Sequence, residues 1–375
     1  MPDQISVPFV DLARQFRALE SDLTDAFREV GRSGIYILGD RLASFERAVA
    51  AFCGVRHAVG VADGSSALFL ILKALGIGPG DEVITAPNSF IASASMIAAT
   101  DAKVVFVDVA EDMNIDPALI EEALTPRTRA ILPVHLTGRP AAMEPINEIA
   151  RRHGLFVVED AAQAIGARYQ GRRVGGLGIA AGFSLHPLKN LGVYGDGGLI
   201  TTDDDALAEK IIKLRNHGLE NRERCAFWGY NSRLDPMQAA FAEIKLAHLD
   251  IWNARCREIA GIYRDRLRGL ATVPEDQPQE ECVYHNFIIR TDRRDALMAH
   301  LAANGVDTRI HYPIPLHLQE AARDLGYTEG SFPNTEANAR HMISLPIYPE
   351  LTDAEVDHVA RSVISFFTGS ELGSR

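Results

Sequence analysis

Seven short, β-branched apolar runs alternate with helical patterns through the first two-thirds of the chain, and this alternation restricts the fold more than any other feature. The runs occupy 58–62, 82–86, 103–107, 130–134, 155–159, 181–185 and 198–202. Helical periodicity fills 66–75, 91–99, 118–124 and 143–153 between them. Strands that alternate with helices predict βαβ units and a mostly parallel sheet with helices on both faces. Runs such as VVFVDV and LFVVED are almost wholly apolar, as a sheet buried on both sides requires.

The pattern changes near Asp235. Phe241, Ile244, Ala247 and Ile251 recur at helical spacing, and Ile259, Ile262 and Tyr263 resume it, which predicts one or two long helices over 236–267. Pro236 suits a first helical turn. The acidic stretch 275–281 reads as a surface loop. A strand is expected at 284–290, a helix at 293–303 that stops at Asn304-Gly305, and a second strand at 307–312. Thr352 and Glu355 form a capping-box pattern before a last helix. The expectation is α/β: a large domain over 1–245 with a seven-stranded sheet, then a smaller α+β domain over 246–375. A chain of 375 residues accommodates two such units at about 150 residues each.

Several function classes are disfavoured. The net charge of −12 argues against general nucleic-acid binding and against docking on an anionic membrane. No apolar run reaches the roughly 18–20 residues of a membrane helix. The N-terminus lacks the basic-then-apolar pattern of a signal peptide. Cys53, Cys225, Cys256 and Cys282 are scattered and form no C-x-x-C, so no metal or redox site is expected and a reducing cytoplasm fits. No G-x-G-x-x-G follows the first strand, which weakens a dinucleotide-binding reading.

Two segments carry the chemistry: VVEDAAQAIGA (157–167) and FSLHPLKNLGVYGDGG (183–198). Asp160 ends a strand, where open α/β sheets gather ligand-binding groups. Lys189 follows another strand, in a loop with Pro187, Gly192, Gly195, Gly197 and Gly198. A lysine that can form an imine and a carboxylate that can hold a pyridinium proton are the two protein parts pyridoxal phosphate needs. The carboxylate keeps the ring nitrogen charged, and the lysine must be partly neutral to attack. Alone, Asp160 reads as a cap and Lys189 as a solvated charge; in this order, with these flanks, they read as a cofactor site. Gly64, Ser65 and Ser66 open a helix directly after a strand, which is a ready phosphate site as well as a common N-cap.

Eight segments, in order, resemble the DegT/DnrJ/StrS family of pyridoxal-phosphate-dependent nucleotide-sugar aminotransferases, of aspartate aminotransferase fold (fold type I). They are SGIYILG (33–39), ADGSSAL (62–68), GPGDEVITAPNSF (78–90), PVHLTG (133–138), VEDAAQ (158–163), HPLKNLG (186–192), YNSRLDPMQAA (230–240) and IHYPIPLH (310–317). The resemblance implies that Lys189 forms the imine and moves the proton, and that Asp160 partners the ring nitrogen. It further implies that Gln163 contacts the phenolic oxygen and Phe90 stacks on the ring. The turn at Gly64, Ser65 and Ser66 would hold the phosphate with Ser184, and Asn231 would reach it from the neighbouring subunit of a homodimer with shared active sites. Tyr36, His186, Arg233, His311, Tyr312 and His317 are candidate substrate contacts, with packing or ion pairing as alternative accounts. Pro313 and Pro315 stiffen the loop that carries the last three.

The chain departs from the usual family pattern at Ile165, Leu185 and Thr137. Relatives that dehydrate sugars replace the lysine by histidine, so Lys189 favours transamination. The resemblance thus implies two-stage transfer from L-glutamate to a nucleotide-linked keto-sugar. Segments 249–260 and 310–317 look closest to members that aminate C3 of a dTDP- or UDP-linked 3-keto hexose. Amination at C4 of a 4-keto-6-deoxy sugar, a dehydratase or lyase on the same cofactor, and a non-catalytic regulator are the alternatives.

Overall fold

The structure is a computed structural model that describes residues 5–369. Seven strands form one sheet: β1 (His57–Val61), β2 (Glu82–Thr85), β3 (Lys103–Phe106), β4 (Thr128–Leu132), β5 (Phe156–Asp160), β6 (Ala180–Ser184) and β7 (Gly198–Thr202). Their order is β1-β7-β6-β5-β4-β2-β3. β7 runs antiparallel to both its neighbours, while the pairs among β2 to β6 are parallel. The reversal has a local cause. A parallel neighbour needs a long crossover, usually a helix, and the segment between β6 and β7 contains none.

The helices of this part are α1 (Leu12–Ser33), α2 (Asp40–Cys53), α3 (Gly64–Ala74), α4 (Ile91–Ala98), α5 (Met143–His153) and α6 (Asp205–Leu214). Alternate strand residues enter different cores. Ile131, Val157, Ala181 and Leu199 belong to one apolar cluster, and Ala130, Val158, Ala180 and Ile200 to another. Each face of the sheet therefore has its own core, which explains the nearly unbroken apolar runs.

The chain continues through α7 (Pro236–Leu246), α8 (Leu249–Leu267), β8 (Phe287–Arg290), α9 (Arg294–Ala303), α10 (Pro333–His341), β9 (Met342–Leu345) and α11 (Asp353–Thr368). β8 and β9 pair antiparallel. A third cluster, with Ile259, Tyr263, Phe287, Leu297, Ile343 and Val359, joins these elements. Val7 also enters it, and its N–H donates to Gly305 O at 2.8 Å. The expected capping box is present: Thr352 N–H donates to Glu355 Oε2 at 2.8 Å, and Glu355 N–H to Thr352 Oγ1 at 3.2 Å.

Four local expectations are corrected. Residues 118–124 form two 3₁₀ turns, Pro117–Leu119 and Glu121–Ala123, because Pro126 drives Thr125 toward extended backbone and shortens the segment. The partner of β8 is β9, not 307–312, of which only Arg309 bridges to Ser344. The acidic loop is partly paired, since Glu280–Glu281 adds a short strand to Arg168–Tyr169. Residues 12–33, 40–53, 205–214 and 333–341 are helical although no helix is expected there. Among the described residues, no helix is long and apolar enough to cross a membrane.

Candidate active site

The carboxyl ends of β1, β2, β5 and β6 converge on one cleft of about 460 Å³. Such strand ends are where α/β sheets bind ligands. Asp160 closes β5, Ser184 closes β6, Gly64 opens α3 after β1, and Phe90 precedes α4 after β2. All four border the cleft, together with Ser65, Gln163, His186, Lys189, His311 and Tyr312.

Lys189 is held on a braced loop. Its N–H donates to His186 O at 2.8 Å, and Val193 N–H donates to Leu185 O at 2.8 Å. Lys245, buried under the loop, donates from Nζ to Gly192 O at 2.6 Å. Gly192 leaves no room for a side chain: a Cβ there would lie 2.4 Å from Pro187 O. Burial lowers the Lys189 amine to about 8, against an opposing pull from Asp160. Roughly a tenth of the amine is therefore neutral at pH 7, far more than for an ordinary lysine, as a nucleophilic amine requires.

Asp160 is almost fully buried. Its Oδ2 accepts from Ser93 Oγ at 2.7 Å and its Oδ1 from Ala162 N–H at 3.2 Å. Ser89 Oγ in turn lies 2.9 Å from Ser93 Oγ. Burial pushes the Asp160 carboxyl up, and Ser93, Ala162 and the charge of Lys189 hold it back. A cationic nitrogen delivered to this carboxylate would pair with it strongly in so dry a place. Ser93 escaped the sequence reading; its only signal is the i,i+4 serine pair at the start of α4.

Gln163 is committed at both ends. Its Oε1 accepts from Thr137 N–H at 2.7 Å, and its Nε2 donates to Tyr312 Oη at 3.3 Å. Burial, reinforced by the negative charge of Asp160, raises the Tyr312 phenol to about 12. Phe90 is 54% exposed, with its ring 5.8 Å from that of Tyr312. An exposed aromatic at a cleft wall offers a face to a flat ligand.

The turn after β1 divides its groups. Asp63 caps α3, with Oδ1 accepting from Ser66 N–H at 2.7 Å and Oδ2 from Ser66 Oγ at 2.9 Å. Ser66 is thus spent on the cap and does not border the cleft, whereas Gly64 and Ser65 do. A Cβ on Gly64 would come within 2.7 Å of Ser184 Cβ, so only glycine lets the turn pack against β6.

His311 Nδ1 lies 2.9 Å from Ser344 Oγ, and burial with the nearby Lys189 charge lowers the ring to about 4. His285 also borders the cleft and was not anticipated. Burial and the charges of Lys189, His311 and His186 keep it neutral. It follows Tyr284, a non-glycine residue at φ +48°, a sparsely populated conformation that sets the direction of the next residue.

Besides Ser66, four expected residues do not border the cleft of the single chain. Tyr36 is exposed between α1 and α2, and its Oη donates to Gly31 O at 3.2 Å. Asn231 is exposed and bridges to Asn216, whose Oδ1 also accepts from Arg233 at 2.9 Å. His317 is corrected outright as a substrate contact. It is buried away from the cleft, its Nε2 lies 3.1 Å from Glu336 Oε1, and its ring packs edge-on against Phe332 at 4.7 Å. Among the described residues, no group of His, Cys, Asp and Glu is arranged to hold a metal ion.

A buried carboxylate, an amine lowered by burial and a helix N-terminus in one cleft suit pyridoxal phosphate. A family model described as the DegT/DnrJ/EryC1/StrS aminotransferase family matches residues 17–364. The chain belongs to the DegT/DnrJ/EryC1/StrS aminotransferase family. It is 49% identical over 348 residues to the dTDP-3-amino-3,4,6-trideoxy-alpha-D-glucose transaminase of Streptomyces venezuelae, covering 92% of each chain. It is 45% identical over 368 residues to a protein of Geobacillus stearothermophilus named pleiotropic regulatory protein, covering 97% of this chain and 99% of that one. The crystal structure of S. venezuelae DesV in complex with a ketimine intermediate superposes with a TM-score of 0.95 at 48% identity, over 96% of this chain and 98% of that one. This member of the family is a pyridoxal-phosphate-dependent aminotransferase with the α/β fold of that class.

Proposed function

We propose that this aminotransferase moves the amino group of L-glutamate to C3 of a dTDP- or UDP-linked 3-keto sugar. One observation carries the reading: Lys189 and Asp160 line the same cleft, one with an amine lowered by burial and the other with a buried, hydrogen-bonded carboxylate. Bound pyridoxal phosphate supplies an aldehyde carbon for imine formation and a ring that draws electrons from the bond broken at the amine-bearing carbon.

The chain's own groups do the rest. Asp160, steadied by Ser93, would hold the proton on the ring nitrogen. Gly64 and Ser65 offer amides at the positive end of α3 to the phosphate, beside the hydroxyl of Ser184. Phe90 would offer its face to the bound ring, and Gln163 with Tyr312 would meet it from the cleft wall. Lys189 Nζ would take the hydrogen from the donor's α-carbon and hand it to the carbon on the far side of the shared nitrogen, and would run the same transfer in reverse for the acceptor. His186 and His311 line the space where the sugar would enter. Tyr36, Asn231 and Arg233 serve a neighbouring copy's cleft in a homodimer. We read 1–245 as the cofactor-binding domain, 246–375 as the second domain, and the cytoplasm, where four free thiols stay reduced, as the compartment.

C3 is favoured by the S. venezuelae relative, whose name places the amine there. The name of the G. stearothermophilus relative favours a non-catalytic regulator. That reading predicts decay of the lysine–carboxylate pair, and both groups stand in the cleft. The deciding experiment incubates holoenzyme with glutamate and a panel of nucleotide-linked 3-keto and 4-keto sugars, read by mass spectrometry. Conversion of a 3-keto sugar to its amine is expected. Conversion of 4-keto sugars alone, or of none, overturns the assignment.

A further inference from the structure

Asn253, at the start of the second turn of α8, is 2% exposed and does not border the cofactor cleft. Its amide nevertheless joins segments that build that cleft. Nδ2 donates to Ile165 O at 3.1 Å, in the turn that carries Gln163 just after Asp160 closes β5. Oδ1 accepts from Asn190 Nδ2 at 3.1 Å, and Asn190 follows Lys189 directly. Asn190 draws in a third segment, because its Nδ2 also donates to Val283 O at 3.3 Å, shortly before His285.

The partners fix how each amide points. A carbonyl oxygen can only accept, so Ile165 O selects the NH2 end of Asn253 and leaves its oxygen facing Asn190. Both hydrogens of the Asn190 amide are then spent, on Asn253 and on Val283, while its own oxygen is buried without a partner. The fit is close: a Cβ on Gly166 would stand 2.5 Å from Asn253 Nδ2, so the amide lies directly against that backbone. α8 is itself anchored here. Three residues earlier, Asp250 accepts from Arg173 at 2.9 and 2.8 Å, and Leu249 is fully buried. An apolar residue at 253 would pack α8 equally well. An amide that spends a donor on one segment and an acceptor on another also fixes the distance between them, since hydrogen bonds are directional and apolar contact is not.

We propose that Asn253 is a positioning residue for Lys189: its amide holds the backbone beside Lys189 at a set distance from the strand end that carries Asp160. The inference rests on the reading of Lys189 as the amine that captures the cofactor and moves the donor's hydrogen. Both steps need Nζ within close reach of a carbon, and a shift of about 1 Å costs up to roughly a hundredfold in rate. Lys245 grips the same loop further along, at Gly192 O, so loss of Asn253 loosens Lys189 without releasing the loop.

The test compares the full-length protein with Asn253→Ala, which deletes the amide, and Asn190→Ala, which deletes its partner on the loop. Stripped of cofactor, each variant should bind pyridoxamine phosphate, which has no aldehyde, as tightly as the unaltered protein. Covalent capture of pyridoxal phosphate, followed by visible absorbance, should be about ten- to a hundredfold slower. In the holoenzyme, hydrogen transfer from saturating glutamate should slow by a similar factor and keep its sensitivity to deuterium at the α-carbon. The double variant should fall short of the product of the two single effects, because they share one bond. Unchanged capture and transfer in both single variants overturn the proposal. So does a loss of pyridoxamine phosphate affinity that matches the loss in capture, which marks general packing. Should Asn253→Ala fail to fold, Asn190→Ala carries the same prediction from the half-buried loop. Lys189→Ala that still develops the absorbance of captured cofactor removes the reading of Lys189 instead. If glutamate transfers nothing, the donor assignment fails, and the capture rates still decide the role of Asn253.

Discussion

Lys189 owes its reactivity to desolvation, and that has a pH signature. Its free amine sits at about 8. Below that value the ammonium cannot attack an aldehyde, and above it the neutral amine can. Capture of added pyridoxal phosphate by the apoenzyme should therefore speed up as pH rises through about 8 and then level off. A rate independent of pH between 6 and 9, a window of roughly one unit or more on each side, would contradict the assignment. Ser93 acts one step back, through Asp160. Ser93→Ala deletes a bond to a buried charged group, worth roughly 1.5–3 kcal/mol, so kcat should fall about ten- to a hundredfold. The visible spectrum should also shift toward the form with a deprotonated ring nitrogen; a slower enzyme with an unaltered spectrum would point to misfolding alone. At this scale the site was readable where a motif is local. Asp160 and Gln163 share one strand end, and Lys189 shares a loop with its bracing glycines. Ser93 and His285 were not readable, because a serine on a helix and a histidine in a turn acquire meaning only from residues that the fold brings to them.

Arg14 shows what an element can gain from one side chain. From the first turn of α1 it donates to both oxygens of Glu355 at 2.8 and 2.9 Å, while Glu355 caps α11. The bidentate pair holds the Glu355 carboxyl down at about 2, from an ordinary 4.5. A depressed carboxyl contributes its stability above the unfolded value and loses it as pH falls. The protein should thus weaken as pH drops from about 4.5 toward 2. Arg14→Ala should lower unfolding free energy by about 1–3 kcal/mol at neutral pH, measured by denaturant melts, and should flatten this acid limb. An unchanged melt would mean that the two helices are joined by apolar contact alone. The element pattern was readable for the sheet, since buried strands leave long apolar runs. It was harder for α1, whose buried face of Leu19, Leu23, Ala26 and Val30 is a thin stripe among charges. Segment 307–312 misled because its apolar residues line a proline-bearing loop, where Pro313 and Pro315 cannot donate to a ladder.

The whole chain leaves apolar groups uncovered. Ile35, Tyr36 and Ile37 are each about half exposed, and Trp228 is 93% exposed. A run of exposed apolar side chains such as 35–37 suits contact with another chain. Tyr36, Asn231 and Arg233 are also outside the cleft of their own chain, so a shared site predicts rescue between damaged copies. Lys189→Ala and Asn231→Ala, each poorly active alone, should regain activity when co-expressed, because one cleft of the mixed dimer has both residues intact. No recovery from a verified mixed dimer would confine the site to one chain. A shared site of this kind stays a proposal: the resemblance of the motif around Asn231 implies a crossing between subunits, and nothing in a linear pattern reports distance between copies.

The two sides of the cleft reach it from different stretches of the polypeptide. Gly64, Asp160 and Lys189 arrive on strand ends before residue 200, whereas His285, His311 and Tyr312 come from beyond residue 280. We propose that the earlier stretch, His186 apart, mainly holds the coenzyme and that the later one, apart from the bond of Tyr312 to Gln163, mainly faces the sugar, so the two can drift at separate tempos. Chimaeras that graft the later stretch from a cousin with another appetite would inherit its taste in acceptors while keeping the native grip on the coenzyme.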